Sequence, residues 1–320
     1  MSPATRRRVF EATGWLVTAS VGLVLLTQTL GWEGGTLIAV LQALTPIGLV
    51  AAIAVAAIAA LSRSHLLALG SGAVVVGLLV LSIPLAFPAD RLEPGDGAVG
   101  VSVASVNILF DNRQVIELGA DLAERSPDVI AFSEFIQWHR RTLRVNGLRA
   151  QYPHRIDVDP QLGSGMSIWS KYPIVDWEVA DPNGRIVDAT IDGPDGVFRL
   201  LSVHPRTPIH DFALWIETLG EIARLAADDD SPTLVVGDFN ASYWHPAYRE
   251  ILDNGLVDAH IATRDPWSTS WPTDRLIPPF VRLDHALVDD RLAVIDLVDF
   301  QPPGSDHRGF VVTVAPASVS

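Results

Sequence analysis

From residue 15 to residue 87 the chain carries only two charged side chains, Glu33 and Arg63. That gap limits what the N-terminal quarter can fold into. A buried helix of a soluble protein rarely needs more than about 14 apolar residues in a row, whereas crossing the ~30 Å hydrocarbon of a bilayer takes roughly 20. Three stretches approach or exceed that length, at 15–30, 36–61 and 66–87, separated by Gly31-Trp32-Glu33-Gly34-Gly35 and by Ser62-Arg63-Ser64-His65. Pro46 and Pro84 fall inside or near the ends of these stretches, where neighbouring helices can satisfy the freed backbone groups. Residues 1–88 are therefore expected to form a membrane domain of three transmembrane helices. Arg6, Arg7 and Arg8 precede the first span and Arg63 lies between the second and third. Positive charge stays in the cytoplasm, so three spans would place everything after residue 88 on the outer face. A cleaved secretory signal would explain the first stretch alone.

Beyond residue 88 charged and apolar residues intermix as in a globular domain. Residues 89–98, with Pro94, Gly95 and Gly97, read as a linker, leaving 99–320 as a second domain. Four arginines against three acids up to Asp90 leave one positive charge there. With −14 over the whole chain, the remainder carries −15. An acidic body repels polyphosphate at long range, which argues against a dedicated binder of long nucleic acid. The absence of cysteine excludes disulfides and thiolate chemistry.

In the second domain short apolar runs alternate with turn signals. Strands are expected at 99–107, 129–133, 166–170, 174–179, 185–191, 198–203, 233–236, 284–288, 294–300 and 309–314. Helical spacing appears at 113–125 and 211–227. Many strands with few helices, and no regular strand–helix alternation, indicate an α+β sandwich of two sheets covered by helices.

Polar residues gather where these apolar runs end, and strand ends hold side chains rigidly enough for catalysis. They occur in Ser105-Val106-Asn107, in Asp128-Val129-Ile130-Ala131-Phe132-Ser133-Glu134, in Ser202-Val203-His204-Pro205, in Gly237-Asp238-Phe239-Asn240, in Arg282-Leu283-Asp284-His285 and in Ser305-Asp306-His307-Arg308. Singly, each has an ordinary reading. Asn107 is a turn former, Glu134 a helix cap or a hard oxygen ligand, and His204 a structural hydrogen-bonder or a donor to phosphate. Asp238 and Asn240 form a turn or a site, and Asp284 pairs with Arg282. Asp306 and His307 form a turn or a water-activating pair.

Taken in order, these motifs resemble the endonuclease/exonuclease/phosphatase superfamily, which includes DNase I-like nucleases, apurinic-site endonucleases, inositol polyphosphate phosphatases and neutral sphingomyelinases. The glycine-then-strand-then-proline segment from Gly163 to Ile174 is similar to the family's as well. The resemblance implies a DNase I-like four-layer α/β/β/α sandwich and a Mg²⁺-dependent phosphoric ester hydrolase, with Mn²⁺ as a possible substitute. It makes Glu134 the principal metal ligand, with Asn107 and Asp306 near the same ion. Asp238 would orient or deprotonate the attacking water. Asn240, His204 and His307 would contact the phosphate, and Asp284 would pair with His307 and keep it cationic. Apurinic endonucleases carry a tyrosine near the place of His204, so the site resembles more the DNase I and sphingomyelinase branches. His285 receives no role.

The anchored arrangement resembles bacterial membrane proteins of the teicoplanin-resistance type. That resemblance implies a lipid-linked phosphodiester or pyrophosphate substrate in the cell membrane, with a surface nuclease as the alternative. Tyr243, Trp244, Trp267 and Trp271 follow the motif strands and either form an apolar rim toward headgroups or belong to the core.

Overall fold

The structure, a computed structural model, describes residues 2–88, 92–145, 147–158, 165–227 and 231–318. Part of the expected linker and Gly163 and Ser164 of the glycine segment lie outside these. The chain divides into two compact units, one of residues 1–87 with Tyr243–Ala247, the other of residues 88–242 and 248–320.

The first unit is helical: α1 (Pro3–Thr29), α2 (Thr36–Ala43), α3 (Thr45–Leu61), α4 (His65–Leu81) and the single turn α5 (Ile83–Ala86). Glycines let the long helices approach: a Cβ at Gly70 would press on the Trp15 ring and one at Gly77 on Leu25. Three continuous spans are not what is observed. Among the described residues one helix, Ala4–Thr29, is long and apolar enough to cross a membrane, or two if α2 and α3 count as one. Those two are bent by 67° at Leu44. Pro46 has no N–H to offer the Gln42 carbonyl, which accepts instead from Thr45 Oγ1 (2.6 Å). Helix α4, at 17 residues, spans roughly 25 Å, short of a bilayer core.

Polar side chains gather at one end of this unit around Tyr243–Ala247. Gln28 Nε2 donates to Thr45 Oγ1 (2.7 Å) and to the Trp244 carbonyl (2.9 Å). His245 Nε2 donates to the Ala39 carbonyl (2.9 Å), and Glu33 Oε1 accepts from the Ala247 N–H (2.6 Å). Trp244 is 6 % exposed, so it is interior rather than part of a rim. Trp271 is half-buried and Trp267 exposed.

The second unit is built on two mixed six-stranded sheets. Its strands are β1 (Val101–Asn107), β2 (Val129–Ser133), β3 (His154–Val158), β4 (Met166–Ser170), β5 (Ile174–Val179), β6 (Ile186–Gly193), β7 (Gly196–Val203), β8 (Thr233–Asp238), β9 (Val257–Asp258), β10 (Asp284–Val288), β11 (Leu292–Phe300) and β12 (Gly309–Pro316). One sheet has the order β11-β12-β1-β2-β4-β3, the other β5-β6-β7-β8-β10-β9. The central pairs β1–β2 and β7–β8 are parallel, so their C-terminal ends emerge together.

Alternation decides which side chains meet. Val101, Val103, Val129, Ala131, Val312 and Val314 of the first sheet pack against Val187, Ala189, Leu200, Leu234, Val236 and Ala286 of the second. The intervening Ala104, Val106, Ile130 and Phe132 face outward. They are covered by Val115, Leu118 and Leu122 of α6 (Val115–Arg125) and Leu143 of α7 (Gln137–Val145). On the second sheet's outer side, Arg199 of β7 donates to the Leu225 carbonyl of α8 (Phe212–Ala227) (2.7 Å). The α+β class with two sheets and helices outside both agrees with the sequence. The short elements α9 (Pro246–Asp253) and α10 (Ala259–Ala262), with β3, β9 and α7, escape it.

Candidate active site

The inward-facing positions of the central strands are apolar until the strands end, where they become polar. Val101-Val103 leads to Asn107, Val187 back to Arg185, Leu200 on to His204, Val236 to Asp238 and Ala286 back to Asp284. All five end residues are at least nine-tenths buried. The register sets Asp284 opposite Asp238, and the His204 N–H donates to the Arg185 carbonyl (2.8 Å). Glu134 is out of phase with Val129, Ala131 and Ser133, and its backbone takes φ = 56°, which breaks the alternation. Its Oε2 accepts from the Phe110 N–H (2.9 Å). Asn240 is also left-handed, at φ = 48°. Strained backbone of this kind recurs at functional sites. Gly237, at φ = 151°, lets β8 pass so close to β7 that a Cβ would overlap the Val203 carbonyl.

These ends share one constellation. Asn107 Nδ2 donates to Asp238 Oδ2 (3.1 Å) and lies 3.4 Å from Glu134 Oε1. His204 Nε2 stands 3.7 Å from Asp238 Oδ2 and 4.0 Å from Glu134 Oε1. His307 Nε2 is 3.8 Å from Asp238 Oδ2, while its Nδ1 donates to Asp284 Oδ2 (2.8 Å). Asn240 donates its backbone N–H to Asp238 Oδ1 (2.9 Å) and its amide to the Pro205 carbonyl (3.0 Å). Ser305 ties the β11–β12 loop to β1 through the Asn107 carbonyl (2.7 Å) and accepts from the His307 N–H (3.0 Å). The Asp306 carboxylate accepts from Trp271 Nε1 (3.2 Å) and its charge adds to those that raise His307. Among the described residues it bonds to neither Glu134 nor Asn107. Arg282 pairs with Asp299 rather than with the Asp284 carboxylate, giving Asp284 only a backbone bond (3.1 Å).

The electrostatics separate the groups. Burial pushes Asp238 up to about 7, despite the pull of His307 and the hydrogen bonds from Asn240 and Asn107. Burial lowers His307, but Asp284 and Asp238 outweigh it and raise the ring to about 10. Burial, then Arg185 and His307, lower His204 to about 3. It is therefore neutral, and its approach to Asp238 is not an ion pair. An acid drawn toward neutrality beside an imidazolium that stays charged is the division that general base and electrophile require.

A divalent cation fits one side of this group. Glu134 and Asp238 converge on an amide and a neutral imidazole, so two carboxylates face each other across neutral groups. Carboxylate oxygens suit a hard ion such as Mg²⁺, and an inverted Asn107 amide, whose nitrogen here faces both acids, would add a third oxygen. By spacing alone Asp238, Asp284 and His307, with ligand atoms within 4.8 Å of one another, could also hold a metal. His307, however, faces carboxylates with both nitrogens and is protonated on both, leaving no lone pair to coordinate. The Glu134 side is the better place.

Sequence reasoning missed the supports. His285 Nδ1 bonds Asp258 Oδ2 (2.9 Å) and its Nε2 donates to the Ala241 carbonyl (3.1 Å), clamping the loop that bears Asp238 and Asn240. Tyr248 donates to the same Asp258 oxygen (2.6 Å). Ser270 Oγ accepts from the Asp284 N–H (3.2 Å). A histidine following Asp284 was visible; its partner 27 residues earlier was not.

A model of the endonuclease/exonuclease/phosphatase family matches residues 104–307. Among solved structures, humanised D. rerio TDP2 superposes with a TM-score of 0.56 at 15 % identity, over 67 % of this chain and 98 % of that one. An AP endonuclease from Archaeoglobus fulgidus gives 0.53 at 18 %, over 66 % and 98 %. An endonuclease/exonuclease/phosphatase from Bacteroides vulgatus gives 0.56 at 17 %, over 68 % and 99 %. No curated protein sequence matches the chain.

Proposed function

Because the chain belongs to the endonuclease/exonuclease/phosphatase family, we propose that it is a membrane-anchored, divalent-cation-dependent phosphoester hydrolase acting on a lipid-linked phosphodiester or pyrophosphate. The observation that carries the chemistry is Asp238, raised to about 7, facing the imidazolium of His307 across 3.8 Å. Asp238 takes the proton of the attacking water, whose position Asn240 helps to fix. His307, held by Asp284, and neutral His204 donate to the non-bridging oxygens as charge builds there. Glu134 with Asn107 would hold Mg²⁺, or Mn²⁺ in its place, which offsets the charge of the phosphate.

The membrane reading rests on the helical unit. Leu16, Leu23, Leu37, Val50, Leu69 and Val76 are all more than half exposed, an apolar surface that water does not tolerate over such an area. Arg6, Arg7 and Arg8 at the start of α1 favour a cytoplasmic N-terminus. If α1 alone crosses, the catalytic unit lies outside. An enzyme so placed has headgroups always within reach. The D. rerio TDP2 structure with a single-strand DNA product is the warrant for a nuclease reading, against which stands the −15 charge after Asp90.

The test is headgroup or phosphate release by the full chain in detergent, from isoprenyl phosphates and diphosphates, phospholipids, sphingomyelin and plasmid DNA. Lipid turnover abolished in Asp238→Ala and His307→Ala supports the proposal. DNA cleavage faster than turnover of any lipid overturns it.

A further inference from the structure

The Arg185 guanidinium has no part in the chemistry proposed above. Arg185 immediately precedes β6 on the same inward face as Val187 and Ala189, directly across the sheet from His204, and is 4 % exposed. Facing residues on antiparallel neighbours put their side chains on one side of a sheet, so Arg185 enters the same cleft end as the His204 ring. Its Nε is buried and without a hydrogen-bond partner, and no described residue forms an ion pair with its guanidinium. Asp181, the nearby acid, is already engaged: its oxygens accept the backbone N–H groups of Asn183 (3.0 Å), Arg185 and Ile186 (2.7 Å).

A buried guanidinium has five donors and strongly prefers an anion. Here a second guanidinium stands near. Burial, then Arg206, disfavour the charged form of Arg185, while Asp181 and Glu134 favour it. Arg206 is exposed, two residues beyond His204. Two like charges beside one cleft repel each other unless an anion lies between them.

The position says which anion. In the order β6-β7-β8-β10, Asp238 and Asp284 sit on the last two strands, His204 follows β7, and Arg185 lies a further strand out. Strands are about 4.8 Å apart, so an anion on Arg185 lies on the far side of His204 from the attacking water. Resting on the hydrolase reading above, we propose that Arg185, assisted by Arg206, forms a second anion subsite that holds the phosphate adjoining the one attacked. The substrate class is then a diphosphate, not an isolated phosphodiester.

The test uses the full chain in detergent with bis(4-nitrophenyl) phosphate as reporter and inorganic pyrophosphate and orthophosphate as competitors. Pyrophosphate should inhibit the native chain at least tenfold more tightly than orthophosphate. Arg185→Gln should weaken pyrophosphate by about ten- to hundredfold, the range of charge-assisted hydrogen bonds, and orthophosphate by less than about threefold. Arg185→Lys should fall between, and exposed Arg206→Gln, which leaves the interior intact, should shift pyrophosphate alone by a smaller factor. Equal weakening of both competitors, no change in either, or a native chain that does not discriminate would each overturn the subsite. Turnover of an isoprenyl diphosphate compared with a nucleoside diphosphate then identifies the source of the group. A chain that hydrolyses the reporter but no lipid sinks the lipid reading and leaves the subsite standing.

Discussion

Asp238 and His307 stand only 3.8 Å apart, and their opposite shifts make the pH behaviour specific. On the proposed mechanism, turnover needs Asp238 ionised and His307 protonated. The rate should rise through about 7, lower once a cation draws the carboxylate down, and fall near 10. Replacing Asp238 by Asn removes the base and should lower kcat by about 10²–10⁴-fold, measured under saturating substrate. Asp284→Asn removes the leading charge that raises His307, so the alkaline limb should move down by about 1–3 pH units. The same pairing enters stability. A ring titrating at about 10 when folded, against about 6.5 unfolded, contributes fully below pH 6.5. That contribution fades as the pH climbs to 10. Denaturant midpoints should therefore decline over that window in the native chain and be flatter in Asp284→Asn. At this scale the sequence displayed Asn107, Glu134, His204, Asp238 and His307, because polar residues ending apolar runs stand out. Arg185 and the His285–Asp258 clamp were hidden, because a lone basic residue acquires meaning only when the β6–β7 register sets it across from His204.

Elements hold these residues through close approach of the central strands. Gly237 is the narrowest point, since any Cβ there meets the Val203 carbonyl at an unfavourable φ. Gly237→Ala should cost roughly 2–6 kcal/mol, combining about 1–3 for backbone strain with about 1–3 for overpacking. Urea unfolding measures it, and a cost under 1 kcal/mol would mean the strands do not need that contact. The long helices α6 and α8 and the buried strands β2 and β8 were legible from their periods. The allotment of strands between two sheets was not, since β1 pairs with the last strand, β12, across the whole domain. Three helical spans were read from hydropathy alone. Composition is blind to the 67° break before Pro46 that divides the second stretch into α2 and α3.

For the whole molecule, the helical unit and the acidic remainder make separable demands. Membrane fractions carrying the full chain should retain it through high salt and alkaline carbonate, releasing it only to detergent. Release by salt alone would mean the apolar faces of α1, α3 and α4 are covered by protein rather than lipid. Phosphate release from isoprenyl diphosphate in detergent after exhaustive chelation decides whether side chains from six separate segments build one cation-dependent hydrolytic centre. Turnover should disappear with the chelator, return when Mg²⁺ or Mn²⁺ is restored, and fall by at least about 10²-fold in Asp238→Asn and Glu134→Gln. Turnover that survives chelation, or persists undiminished in either variant, would contradict such a centre.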